Sequence, residues 1–150
     1  MASGKTHAKV AGLVFVGTAA ASPWIYSQYG ADAAIGAIIG AGCGYIVTPD
    51  IDLATLTREE NRMRRRFGFL GRLWVAYWAA YGSLMTHRGI SHAPVIGTAT
   101  RAIYGLWWLA LVTYGTWPVV APLATSAFVA WCIQDIGHLA FDRFGFRWVL

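Results

Sequence analysis

Four histidines and seven acidic residues carry the groups in this 150-residue chain that suit metal chemistry. Asp135, His138 and Asp142 stand at i, i+3 and i+7, so one continuous helix turns all three to a single face. Asp50 and Asp52 follow Pro49, where the chain is biased towards extended geometry. Extended geometry would point both carboxylates the same way. His87 and His92 are five apart, which is poor helical registry. Gly89 and Pro94 suggest a helix ending at His87 and a loop holding His92. His7 lies near the start of the chain. Imidazole and carboxylate together suit Zn²⁺, Mn²⁺ and Fe²⁺, and carboxylates alone suit Mg²⁺. The candidate ligands are His7, Asp50, Asp52, His87, His92, Asp135 and His138. Asp142 is expected to orient His138 or act as a base. With it the candidates number eight, more than one zinc ion takes. Either two ions bind or some residues orient the others. Arg88 is assigned to the catalytic site and, with Arg101, to holding a phosphate, since guanidinium matches its geometry. Taken singly, each histidine is more often a cap or a hydrogen-bonded side chain than a ligand. Their joint placement carries the argument.

That placement depends on the elements. Apolar side chains make up 57% of the chain and charged ones 13%, with a mean hydropathy of +0.47. Disordered chains need the opposite balance. Cys43 and Cys132 sit in apolar runs, which excludes a disulfide scaffold. So few charges could not cover an ordinary soluble enzyme. The expected fold class is all-α: a single integral membrane domain of two helical hairpins. Its four spans are 10–29, 31–48, 102–117 and 119–135. A helix crosses the hydrocarbon core with about 20 residues, so the first run is long enough and the others need a short extension. Turns fall at 28–30 and 115–118. A signal peptide is the weaker reading of the first run, because a second long apolar run follows at once. Gly36, Gly40 and Gly44 share one helix face and admit a close neighbour.

Residues 49–101 form a polar, interfacial region. Thr57 and Glu60 have capping-box spacing, so a helix starts there. Trp74, Tyr77, Trp78 and Tyr81 fall on one face of a helix spanning 73–85. It is too short to cross and is read as lying among headgroups, with its aromatic face free for lipid or a protein partner. All twelve basic residues fall on one side of the two-hairpin arrangement, and the opposite turns contain none. Excess Lys and Arg marks the cytoplasmic side, so both termini are expected there. The basic face suits anionic membrane lipid, and no nucleic acid is expected. His7, Asp50, Asp52, His87, His92, Asp135, His138 and Asp142 all reach that same side. Ionisable groups gathered at a membrane bundle are costly and usually functional. Walker and dinucleotide motifs are absent. Ser91 and His92 are adjacent, which seldom makes a nucleophile–base pair.

The blocks Ser3-Gly4-Lys5-Thr6-His7, Pro49-Asp50-Ile51-Asp52, His87-Arg88-Gly89-Ile90-Ser91-His92, Gly97-Thr98-x-x-Arg101 and Asp135-x-x-His138-x-x-x-Asp142 run in order over nearly the whole chain. Together they resemble a family of bacterial metal-binding membrane proteins of unknown function. More distantly, the chain is similar to the YdjM-like group of inner-membrane-associated hydrolases described as LexA-binding, although no residue here matches LexA binding. The resemblance implies an inner-membrane location and metal binding by His7, Asp50, Asp52, His87, His92, Asp135 and His138. Three functions follow in order of expectation. The first is a metal-dependent hydrolase of a phosphoester or lipid at the cytoplasmic face, with one or two divalent ions, zinc before manganese, iron or magnesium. The second is a non-catalytic metal-binding subunit of a membrane complex. The third is a transporter, which lacks the charged residue near the midplane that an ion path needs.

Overall fold

The computed structural model describes residues 4–52, 56–85 and 89–144. Among these the chain is all-α, with five helices and three short 3-10 turns. Helix α1 (Gly4–Tyr29) and α2 (Ala31–Ile46) form a hairpin about Gly30, whose φ of 85° is one that side chains rarely adopt. A 3-10 turn, Pro49–Asp52, follows. Helix α3 (Arg58–Leu84) leads to a second 3-10 turn, Ile90–His92. Helices α4 (Ile96–Val112) and α5 (Trp117–Phe144) are joined at Tyr114–Thr116. The two expected hairpins are therefore present as helix pairs. The second begins earlier and ends later than its apolar runs, because polar turns at 96–101 and 136–144 continue the helices. The expected extended geometry at Asp50 and Asp52 is corrected to a 3-10 turn.

Helix α2 is the centre of the bundle, packed between α1 and α5. The small-residue face expected at Gly36, Gly40 and Gly44 is the contact with α5. A Cβ at Gly36 would strike the Leu123 carbonyl, one at Gly40 the Ala127 backbone, and one at Gly44 the Gln134 side chain. Gln134 ties all three helices: its Nε2 donates to the Ala11 and Ala41 carbonyls, each at 3.0 Å. The site lies just beyond this brace, at the end of the bundle where α2 gives way to Pro49–Asp52.

Helix α3 opens with the expected capping box. Thr57 Oγ1 accepts from the Glu60 backbone N–H, and the Glu60 carboxylate accepts from the Thr57 N–H. It then runs on into the aromatic segment, broken at Gly68 (φ 54°, ψ −115°). At Trp78 and Tyr81 the aromatic face is turned into the chain's own core, which corrects the expectation for those two residues. Trp78 and Tyr81 are buried with Val47, Ile51 and Trp131, and Trp74 packs against them. Tyr77 is partly exposed, but its hydroxyl donates to the Tyr104 carbonyl, and Tyr104 returns the bond to Tyr77. These rings fasten α3 to α4.

Replacing Gly40 with Ala is expected to lower the melting temperature, although alanine favours a helix by about 1 kcal/mol. Gly17 meets nothing within 4 Å, so Gly17→Ala is expected to be neutral or stabilising. Thermal unfolding of both variants in detergent checks the pair.

Candidate metal centre

Four elements hold the polar groups at this end of the bundle. His7 comes from the second turn of α1, Asp50 and Asp52 from the 3-10 turn after α2, His92 from the turn before α4, and His138 and Asp142 from the last turns of α5. Their side chains alternate. His7 Nε2 lies 3.1 Å from Asp142 Oδ1, and Asp142 Oδ2 lies 3.7 Å from His138 Nε2. His138 Nε2 lies 3.4 Å from Asp50 Oδ2, and Asp50 Oδ1 lies 3.5 Å from His92 Nε2. Each carboxylate therefore offers one oxygen to each of two imidazoles. The His7 and His138 rings stack at 3.9 Å between centroids.

Two overlapping sets of donor atoms fall within 4.8 Å of one another: His7, His138 and Asp142, and Asp50, His92 and His138. His138 belongs to both. Its Nε2 is buried and makes no hydrogen bond, although two carboxylates face it. A buried nitrogen left in that state costs free energy unless something else engages it. Each set offers imidazole and carboxylate donors of the kind that fit a divalent transition ion. The three histidine side chains are at most 10% exposed, whereas Asp50 and Asp142 keep 25% and 22%. The cluster thus meets solvent on its carboxylate side.

Asp52 stands behind the cluster. It is buried, accepts from the Ser91 hydroxyl, and lies 3.6 Å from His92 Nδ1. His92 is therefore faced by a carboxylate at each ring nitrogen, which orients the ring. Burial alone would lower its pKa, but bonding and charge from Asp50 and Asp52 prevail and push it up to about 9. Burial likewise opposes ionisation of Asp50, yet His138 and His92, with the charge of His7, hold its carboxyl well below the usual range.

Asp135 belongs to neither donor set. Its Oδ2 accepts from Arg101 Nη2 and from the Thr98 hydroxyl. Arg101 is fully buried, and its Nη1 donates to the Ser91 carbonyl at 2.8 Å. The arginine expected to hold a substrate phosphate is thus turned inward. It links α4, the turn that carries His92, and the helix that carries His138. Gly97 lets that turn lie close, since a Cβ there would strike the Ser91 carbonyl. His87 and Arg88 lie outside the described residues. Sequence reasoning overlooked Ser91 and Thr98 as bracing hydroxyls. The i, i+3 spacing of Thr98 and Arg101 was a signal that both share one face.

Two outcomes are expected. In the metal-free protein the His92 ring titrates near pH 9, followed by NMR. Its contribution to stability is complete below its ordinary pKa of 6.5 and is lost as pH rises through about 9. Removing the proton is required for ligation, so metal affinity rises with pH over that window. Separately, Arg101→Met leaves Asp135 buried and unpaired, and chemical denaturation is expected to show a loss of about 3–5 kcal/mol.

A family model for uncharacterized metal-binding proteins (DUF2227) matches residues 2–146. An uncharacterized protein of Aquifex aeolicus (strain VF5) is 31% identical over 70 residues, which are 47% of this chain. The match spans 41% of that relative's length. No solved structure matches the chain. With the family model covering nearly all of the sequence, the chain belongs to the DUF2227 family of uncharacterized metal-binding proteins.

Proposed function

We propose that this chain is a four-span membrane protein of the bacterial inner membrane, and that it hydrolyses a phosphoester or lipid at the cytoplasmic face with a bound divalent ion. The observation that carries the reading is the alternating cluster of His7, Asp142, His138, Asp50 and His92, centred on a buried His138 nitrogen without a hydrogen bond. These five residues would hold the ion, with zinc the first choice for a set rich in imidazole. The ion would supply Lewis-acid chemistry for hydrolysis. The chain's own part is to orient the donors. Asp52 and Ser91 fix the His92 ring, the Arg101–Asp135 pair fixes the distance between α4 and α5, and stacking on His7 fixes the plane of His138. Exposure on the carboxylate side leaves a path for water and substrate, which favours turnover over a closed structural site.

The membrane reading is supported by α1 and α5, each long and apolar enough to cross. Almost none of the most apolar stretch of α1 is buried within the chain. Leu13, Val16 and Trp24 on α1, and Ile103, Leu111 and Val112 on α4, are all more than half exposed. Such a surface is soluble only if lipid covers it. Helix α2 is shorter, about 24 Å at 1.5 Å per residue; its small residues are buried against its neighbours, and Ile35, Ile38, Ile39 and Ile46 stay exposed. In the four-span arrangement the twelve basic residues fall on one side, which supports an orientation with both termini cytoplasmic.

A non-catalytic metal-binding subunit is the second reading, favoured by the low exposure of the three histidines. Metal analysis and hydrolysis of bis(p-nitrophenyl) phosphate by the purified protein separate the two. The expected result is about one ion per chain, with turnover lost on chelation and in His138→Ala. Asp52→Asn is expected to lower metal affinity roughly 10- to 100-fold. A tightly bound ion with no turnover of any phosphoester would favour the subunit. Protein purified without metal, and unable to take it up, would sink both.

A further inference from the structure

Helix α3 carries a second cluster of charge, independent of the metal centre. At Gly68 the backbone leaves the helical region, and the halves 58–67 and 69–84 meet at a kink. The approach is close: a Cβ at Gly71 would strike the Met63 carbonyl and the Arg64 backbone. The fold brings Arg64 and Arg65 from the first half to face Arg72 from the second. With Asn61 and Gly68 they line a concavity of about 410 Å³. No acidic side chain lines it, and none of these three arginines forms an ion pair among the described residues.

The rim of this concavity has the opposite character. Phe67, Phe69 and Leu70 flank the bend and are 48%, 66% and 67% exposed. Three unpaired guanidinium groups suit a phosphate, which offers acceptors in matching geometry. An apolar rim beside a basic cradle suits a phosphate that arrives attached to a membrane, because the rim can enter the boundary between headgroups and acyl chains.

We propose that Asn61, Arg64, Arg65 and Arg72 form a binding site for the phosphate headgroup of an anionic phospholipid, with Phe67, Phe69 and Leu70 inserted beside it. The site docks the polar region of the chain onto the membrane surface and needs no catalytic activity. Gly68 sets its shape, since the positive φ there brings the arginines of the two halves together.

The test uses the full chain purified in detergent and titrated with phosphatidylglycerol or phosphatidylcholine, with bound lipid counted by native mass spectrometry. Phosphatidylglycerol is expected to bind roughly tenfold or more tightly than phosphatidylcholine. Arg64→Gln with Arg65→Gln is expected to weaken it about twenty-fold or more, at roughly a factor of five per arginine. Arg58→Gln with Arg66→Gln removes the same charge outside the cradle and is expected to cost less than about fivefold. All four positions are on the exposed part of α3, and unchanged metal content shows that the fold is intact. Equal losses in the two double variants would overturn the cradle in favour of diffuse charge. Inorganic phosphate or glycerophosphoglycerol competing as well as the lipid would overturn the membrane as its source. So would displacement of the lipid by single-stranded RNA at lower concentration than by phosphatidylglycerol.

Discussion

Helices α2 and α5 must touch backbone to backbone for the rest of the molecule to form. Gly36, Gly40 and Gly44 meet Leu123, Ala127 and Gln134 at separations that leave no room for a Cβ. For helices in lipid, as proposed for this chain, the hydrophobic effect between them is small and close packing takes its place. The consequence reaches the site directly. The end of α2 hands over to Pro49–Asp52 at the level where α5 presents His138, so the contact sets the 3.4 Å separation between Asp50 and His138. Gln134, one turn before His138, adds bonds to α1 and α2 at the same level. Helix α1 is thereby held where His7 can stack on His138.

Gathering ionisable groups at the end of such a bundle is costly, and the chain offsets the cost in two ways. Carboxylates and imidazoles alternate, so Asp50 and Asp142 each face two ring nitrogens. Behind them, Arg101 and Asp135 form a buried pair that also reaches the Ser91 carbonyl. Buried pairs contribute little net stability compared with apolar replacements of similar shape. The role proposed for this one is positional. It joins the turn carrying His92 to the helix carrying His138. His138 Nε2 is among the buried nitrogens left without a hydrogen bond, although two carboxylates face it.

Much of this arrangement was legible locally. The i, i+3, i+7 spacing of Asp135, His138 and Asp142, the capping box at Thr57 and the glycine face of α2 each depend on a single helix and its period. Partners on other helices were harder to foresee. Asp135 has the spacing of a ligand, but its partner Arg101 is on α4, and local periodicity says nothing of that pairing. The aromatic stripe of α3 reads the same whether it meets a partner or the chain's own core. Trp78 and Tyr81 are buried because α4 supplies Tyr104 and Thr100 opposite them, a contact between distant segments. Asp50 and Asp52 lie in a 3-10 turn rather than an extended strand. Pro49 restricts the residue before it more than those after it, and the Ile51 N–H finds the Thr48 carbonyl at 3.1 Å.

The central claim is that imidazoles and carboxylates from four segments of chain hold one divalent ion. X-ray absorption spectroscopy of the purified, metal-loaded protein tests it most directly, because the fine structure distinguishes imidazole, carboxylate and thiolate donors. The account predicts a nitrogen and oxygen shell at about 2.0–2.2 Å that includes imidazole scattering from His7, His92 and His138. A sulfur shell at about 2.3 Å, which only Cys43, Cys132 or a methionine could provide, or a spectrum without imidazole scattering, would contradict it.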